Sequence, residues 1–177
     1  VYQLNTQSVL YNITLPDPVN DATWDAQGEL WIAQFAGKRR AEEYNGQTAT
    51  GIGSQTINAG ISAFEILNDD RILLASYDKK IYVNDENGDS LFALTEPTSI
   101  ISKMIELENG EIVAGTTTGM IYHYNTTTWD VQTLQLPNGK QVTLLEEGGD
   151  EDQLYVGTKQ GELYDISLTN YSINDSF

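Results

Sequence analysis

A single histidine, no cysteine and 26 carboxylates bound the chemistry open to this chain. His123 has no second histidine and no thiol with which to hold zinc, and no nucleophile-elbow glycine pattern offers it a serine partner. A lone histidine on a strand reads most simply as a surface or half-buried residue, and no catalytic residue is assigned. Two carboxylates facing one another across a bond could hydrolyse a glycoside. Asp21 and Glu65 come nearest to the strand positions such a pair would need, while most other acids sit in turns. The turn-rich runs Asp85-Glu86-Asn87-Gly88-Asp89 and Glu146-Glu147-Gly148-Gly149-Asp150-Glu151-Asp152 make Asp85, Asp89, Asp150 and Asp152 weak cation candidates. Neither run has the ligand register or closing glutamate of a calcium loop, so solvated charged loops are the simpler reading. No resident metal and no cofactor is expected. The basic residues are the opposite case: Lys38, Arg39 and Arg40 bring together three of only nine.

That imbalance, a net charge of −17, disfavours nucleic acid and anionic membrane surfaces, because neutralising phosphates takes clustered Lys and Arg. No apolar run approaches the roughly 18 residues that span a bilayer. Four glycosylation triplets begin at Asn12, Asn125, Asn170 and Asn174 and would matter only on a secretory route. An extracellular or cell-surface location is favoured over a cytoplasmic one.

The elements that must position these residues recur about every 40 residues. Val19–Trp24 leads through a turn to Leu30–Ala33, Ile61–Ile66 to Ile72–Ala75, Ile101–Glu106 to Ile112–Gly115, and Val142–Leu145 to Leu154–Gly157. The small residue closing each second strand stands at 33, 75, 115 and 157. Ile81-Tyr82, Ile121-Tyr122 and Leu163-Tyr164 restart three of the units six residues later. Apolar runs without alternation suit strands covered on both faces. No 3.6-residue apolar period is present, so almost no helix is expected. A fixed period of this length filled with short strands predicts an all-β β-propeller.

The expected layout is one domain over 1–177, with four four-stranded antiparallel blades at 19–58, 61–97, 101–137 and 142–177. A half blade precedes them at 1–16, where Val1–Thr6 matches Ile121–Thr126. Half a blade implies either a piece of a larger propeller, the favoured reading, or an open arc that needs a partner.

The run Asp25-Ala26-Gln27-Gly28-Glu29-Leu30-Trp31-Ile32-Ala33 resembles the repeats of two-component-regulator-type propellers, and 110–122 and 154–164 resemble them more loosely. The resemblance to WD40-like repeats is weaker, since Trp129-Asp130 opens an outer strand instead of closing a unit. The resemblance implies the architecture and carries over no site.

Trp24, Trp31 and the recurrent Tyr2, Tyr82, Tyr122 and Tyr164 therefore read as packing between blades; a stacking platform for sugar or base is the alternative. The expected function is a non-enzymatic scaffold, receptor module or assembly subunit that binds protein partners or other copies of itself. A carbohydrate-binding or carbohydrate-acting propeller is the alternative.

Lys38, Arg39 and Arg40 break the repeat pattern on a turn carrying two extra residues, which marks them as the candidate partner-binding segment. Three unpaired cations would cost several kcal/mol each to bury, so they should face solvent. Replacing all three with Ser is expected to leave thermal unfolding intact, at under about 0.5 kcal/mol per change. It should weaken association with acidic surfaces, most at low salt. Sedimentation at two ionic strengths checks this, and association equal to the parent's at low salt would count against it.

Overall fold

The computed structural model describes residues 2–3, 8–9, 19–24, 30–34, 41–44 and 59–177, apart from 87, 88, 150 and 151. These residues are all-β, with one 3-10 turn at Pro137–Gly139 and no α-helix. A short hairpin pairs β1 (Tyr2–Gln3) with β2 (Ser8–Val9). Sheet A holds β3 (Val19–Trp24), β4 (Leu30–Gln34) and β5 (Ala41–Tyr44).

Three four-stranded antiparallel meanders follow. Sheet B is β6 (Ile61–Ile66), β7 (Ile72–Ser76), β8 (Ile81–Asn84) and β9 (Ser90–Leu94). Sheet C is β10 (Ile101–Glu106), β11 (Ile112–Thr116), β12 (Met120–Tyr124) and β13 (Val131–Gln135). Sheet D is β14 (Val142–Glu147), β15 (Gln153–Thr158), β16 (Leu163–Ser167) and β17 (Ser172–Ser176). All four apolar runs predicted as second strands lie within β4, β7, β11 and β15. One expectation needs correction. Trp129-Asp130 does not open an outer strand: Trp129 has φ +62° in the turn before β13, and its N–H donates to Asn125 O at 2.7 Å.

Two of the second strands have no polar face because they are covered on both. β7 and β11 are buried at every position. Leu73, Ala75, Ile81 and Val83 of sheet B form one core with Ile101, Met104, Ile112 and Tyr124 of sheet C. Val113 and Ile121 of sheet C form the next with Val142, Leu145, Leu154 and Val156 of sheet D. Sheets B and C thus each have a forward face that meets the next sheet and a back face that meets the previous one. Fully burying one Ile or Leu contributes roughly 1.5–3 kcal/mol, so these joints dominate stability.

Three small devices set the spacing. The first strand of every sheet carries a bulge at one repeat position, occupied by Asn20, Ser62, Ser102 and Thr143. Beside it stands the small residue of the second strand, paired as Ala33–Asp21, Ala75–Ala63, Gly115–Lys103 and Gly157–Leu144. At the end of the second strand a buried hydroxyl, that of Ser76, Thr116 or Thr158, bonds inside the turn that follows or beside it. Thr116 Oγ1, for example, accepts from Met120 N–H at 2.8 Å and lies 3.0 Å from Met120 O.

A Cβ on Gly115 would lie 2.5 Å from Val142 Cγ1 of the next sheet. At Gly157 the nearest atom is Leu144 Cβ of the same sheet, at 3.0 Å, a contact that a backbone shift of a few tenths of an ångström relieves. Gly115→Ala should therefore lower stability by about 1–3 kcal/mol. Gly157→Ala should cost about 1 kcal/mol or less. Urea unfolding of both variants checks the contrast, and equal losses would contradict the packing described.

Candidate functional site

A polar concavity lies between the first turns of sheets B and C. Both turns fold the same way. Leu67 N–H donates to Arg71 O at 2.9 Å and Leu107 N–H to Glu111 O at 2.8 Å. The left-handed position is Asp70 (φ +65°) in one and Gly110 (φ +80°) in the other. Between them opens a groove of about 330 Å³, lined by Asn68, Asp69, Arg71, Glu106, Glu108 and Thr126, among others.

Arg71 organises one wall. Its Nε donates to Asp69 Oδ2 at 2.7 Å, and Nη1 donates to Thr126 O of sheet C at 3.2 Å. The guanidinium lies 5.1 Å from the centre of the Trp129 ring, which meets Phe92 edge-on. Glu106 forms the floor, where its Oε2 accepts the Asn68 N–H at 2.8 Å. The hydrogen bond from Arg71 holds the Asp69 carboxyl below its ordinary range. Burial moves Glu106 the other way, upward, with the Asn68 amide opposing it, the Asp69 charge adding to it and Arg71 opposing it. Two carboxyls with opposite shifts on one groove can hold and release protons at different pH.

One joint further on the same clamp recurs, as Glu147 Oε2 accepts the Glu108 N–H at 2.8 Å. His123 adds a tether across that joint. Its Nε2 lies 2.9 Å from Glu111 Oε2, and its Nδ1 is 2.9 Å from the hydroxyl of Tyr171 in sheet D. Despite that distance, Nε2 makes no hydrogen bond to Glu111. Glu111 Oε1 also accepts from Asn125 Nδ2 at 2.9 Å, and the His123 side chain is only 10% exposed. The sole histidine is therefore sheet-to-sheet structure, half-buried as its strand position suggests.

Of the sequence-predicted site residues, Asp85, Asp89 and Asp152 are among the described residues. Lys38, Arg39, Arg40 and Asp150 lie outside the described residues, as does residue 12 with its triplet. Asp85 accepts the Asp89 N–H at 2.8 Å, closing its own turn. Asp152 stands in the turn just before β15, where it accepts from the Thr169 hydroxyl. Among the described residues no group of three or more His, Asp or Glu is placed to hold a metal. Glu65 is partly buried in β6 and pairs in register with Leu73. Tyr82, Tyr122 and Tyr164 share one register position. Tyr82 bonds Asp78 at 2.7 Å, which pushes its hydroxyl up to about 12, and Tyr122 accepts the Thr98 N–H at 3.0 Å.

Sequence reasoning missed Glu106 and Glu147. Their signal was an acid at the close of two successive first strands, 41 residues apart. No protein-family model matches the chain, and no curated protein matches it either.

Glu106→Gln keeps an acceptor for Asn68 N–H and removes the burial cost of a charge. A carboxyl whose folded pKa is raised weakens the fold as pH climbs from its unfolded value through the folded one. The variant should therefore match the parent in acid and exceed it at neutral pH. Glu106→Ala should instead lose about 1 kcal/mol at neutral pH. Denaturant unfolding across that range checks both, and a parent more stable than Glu106→Gln at neutral pH would contradict the assignment.

Proposed function

We propose that the chain is a β-propeller module, with sheets A to D as successive blades, and that it works as a non-catalytic scaffold for protein partners. The stacking of like sheets, forward face to back face, supports the architecture. The use made of its polar groups supports the function. Glu106, Glu147, Ser102, Thr116 and His123 are engaged in holding strands and sheets in place. What differs from sheet to sheet is the outer turns, and varied turns on a rigid frame suit recognition of a large surface. The net charge of −17 favours basic or neutral protein partners over nucleic acid.

The groove between sheets B and C favours a second reading. Arg71, beside two carboxyls of opposite shift, offers hydrogen bonds suited to a sugar. Aryl-glycoside hydrolysis and glycan-array binding separate the two. The scaffold reading expects neither signal. Hydrolysis that disappears in Asp69→Asn or Glu106→Gln, or glycan binding lost in Arg71→Ala, would replace it with the carbohydrate one.

A further inference from the structure

The outer strands β9, β13 and β17 hold the same place in their sheets, so they can be compared residue by residue. Phe92, Gln132 and Asp175 are equivalent, since they pair with Val83, His123 and Asp165 of the third strands. Just before that position β9 carries a bulge at Leu91, and β17 carries one at Asn174. Sheets C and D present exposed polar side chains there, Gln132 in one and Asn174 with Asp175 in the other. Sheet B presents Leu91 and Phe92, which are 53% and 38% exposed.

Packing inside the chain does not account for this pair. Trp129 holds the left-handed position of the turn before β13, and Tyr171 holds the matching one before β17, with φ +62° and +49°. Both aromatics reach back to the preceding sheet. Tyr171 meets His123, whose side chain is 10% exposed. Trp129 meets Phe92 edge-on, with ring centres 5.1 Å apart, and still leaves it in solvent. Single exposed apolar residues are ordinary. Two adjacent ones on an outer strand are different, because β9 pairs with β8 on one side and with no described strand on the other. The free edge of such a strand offers backbone N–H and C=O groups to an incoming chain.

The charges around β9 are lopsided. Asp85, Glu86 and Asp89 stand in the turn that leads into it, and Asp130 adjoins Trp129. Arg71, on that side, is paired with Asp69 at 2.6 Å. At the other end Ile81 pairs with Leu94, which sets Lys79, Lys80 and Asp78 near Glu96. The start of β9 is thus acidic and its close is mixed.

We propose that β9 is a docking edge for an extended, basic segment of another protein. The segment adds to sheet B as a further strand, seats apolar side chains on Leu91 and Phe92, and sets cations against the acids at the start of β9. This deepens the scaffold reading and rests on it in making the partner a protein. A second copy of the chain is the poorer occupant, because 26 carboxylates stand against nine cations in each copy.

Fluorescence polarisation of a labelled synthetic peptide that alternates valine and lysine tests this on the full chain. One control peptide carries a central proline, which interrupts strand pairing. The other has glutamate in place of lysine. The parent should bind the alternating peptide about tenfold or more tightly than either control. Leu91→Asn with Phe92→Asp gives sheet B the dipeptide with which sheet D folds. It should weaken binding about tenfold or more, with an unchanged circular dichroism spectrum. That variant adds an acid, so attraction by charge alone predicts tighter binding instead. If it loses its fold, Leu91→Ser with Phe92→Gln carries the comparison. A parent that does not bind, a proline peptide that binds equally well, or a folded variant that binds as the parent does would each overturn the proposal. Self-association of the parent that the same variant abolishes would assign the edge to a second copy and overturn it too. The glycoside and glycan tests turn on Asp69, Arg71 and Glu106, not on Leu91 or Phe92, so the scaffold reading and this inference fail separately.

Discussion

The distance between neighbouring sheets is the quantity on which the rest of this molecule depends. Face-packed sheets stand about 10 Å apart only if side chains interdigitate. Here the first residue of each successor's inner strand enters where its predecessor has almost no side chain. Val142 against Gly115 is the tightest case. Ala75 shares a core with Ile101 in the same way. Because the small residue sits beside a bulge, the inner strand bends at the place where the next sheet arrives. The 40-residue period is the sequence trace of that one contact, repeated.

Polar groups at the joints obey the same geometry. A turn at the end of a first strand leaves a backbone N–H facing the neighbouring sheet, and an acid on that neighbour supplies the acceptor. A chain with 26 carboxylates thus uses some of them as hydrogen-bond partners for main chain. His123 serves likewise, lying between a carboxylate of its own sheet and a tyrosine of the next. These bonds run in one direction along the stack, as the apolar faces do, so every joint is oriented.

The second strands were fully legible in sequence, because burial on both faces leaves an unbroken apolar run and the small residue punctuates it. The third strands were legible through their recurrent tyrosines, and β9 through the turn formers around it. Trp129 was not. Its turn is closed by backbone bonds to Asn125, and nothing in the residue type announces a positive φ. The groove was illegible for another reason. Asp69, Arg71, Glu106 and Thr126 come from separate turns and strands, and only the stacking of sheets B and C sets them around one space. His123 was read as surface or half-buried because its partners, Glu111 and Tyr171, are 12 and 48 positions away.

The bulge hydroxyl of Ser102 has a consequence for how such a sequence can change over time. It ties the Gly115 carbonyl of its own sheet's second strand and the Val142 carbonyl of the next sheet's first strand to one donor. Adding or deleting a residue inside an inner strand would turn that donor away and flip every following side chain to the wrong face. Length variation is therefore channelled into the turns. The fourth unit, where six positions from Gly148 to Gln153 replace the five from Leu107 to Glu111, carries its extra residue in such a place. Drift in length accumulates on the rim, where a new loop can be tried without disturbing the frame that presents it.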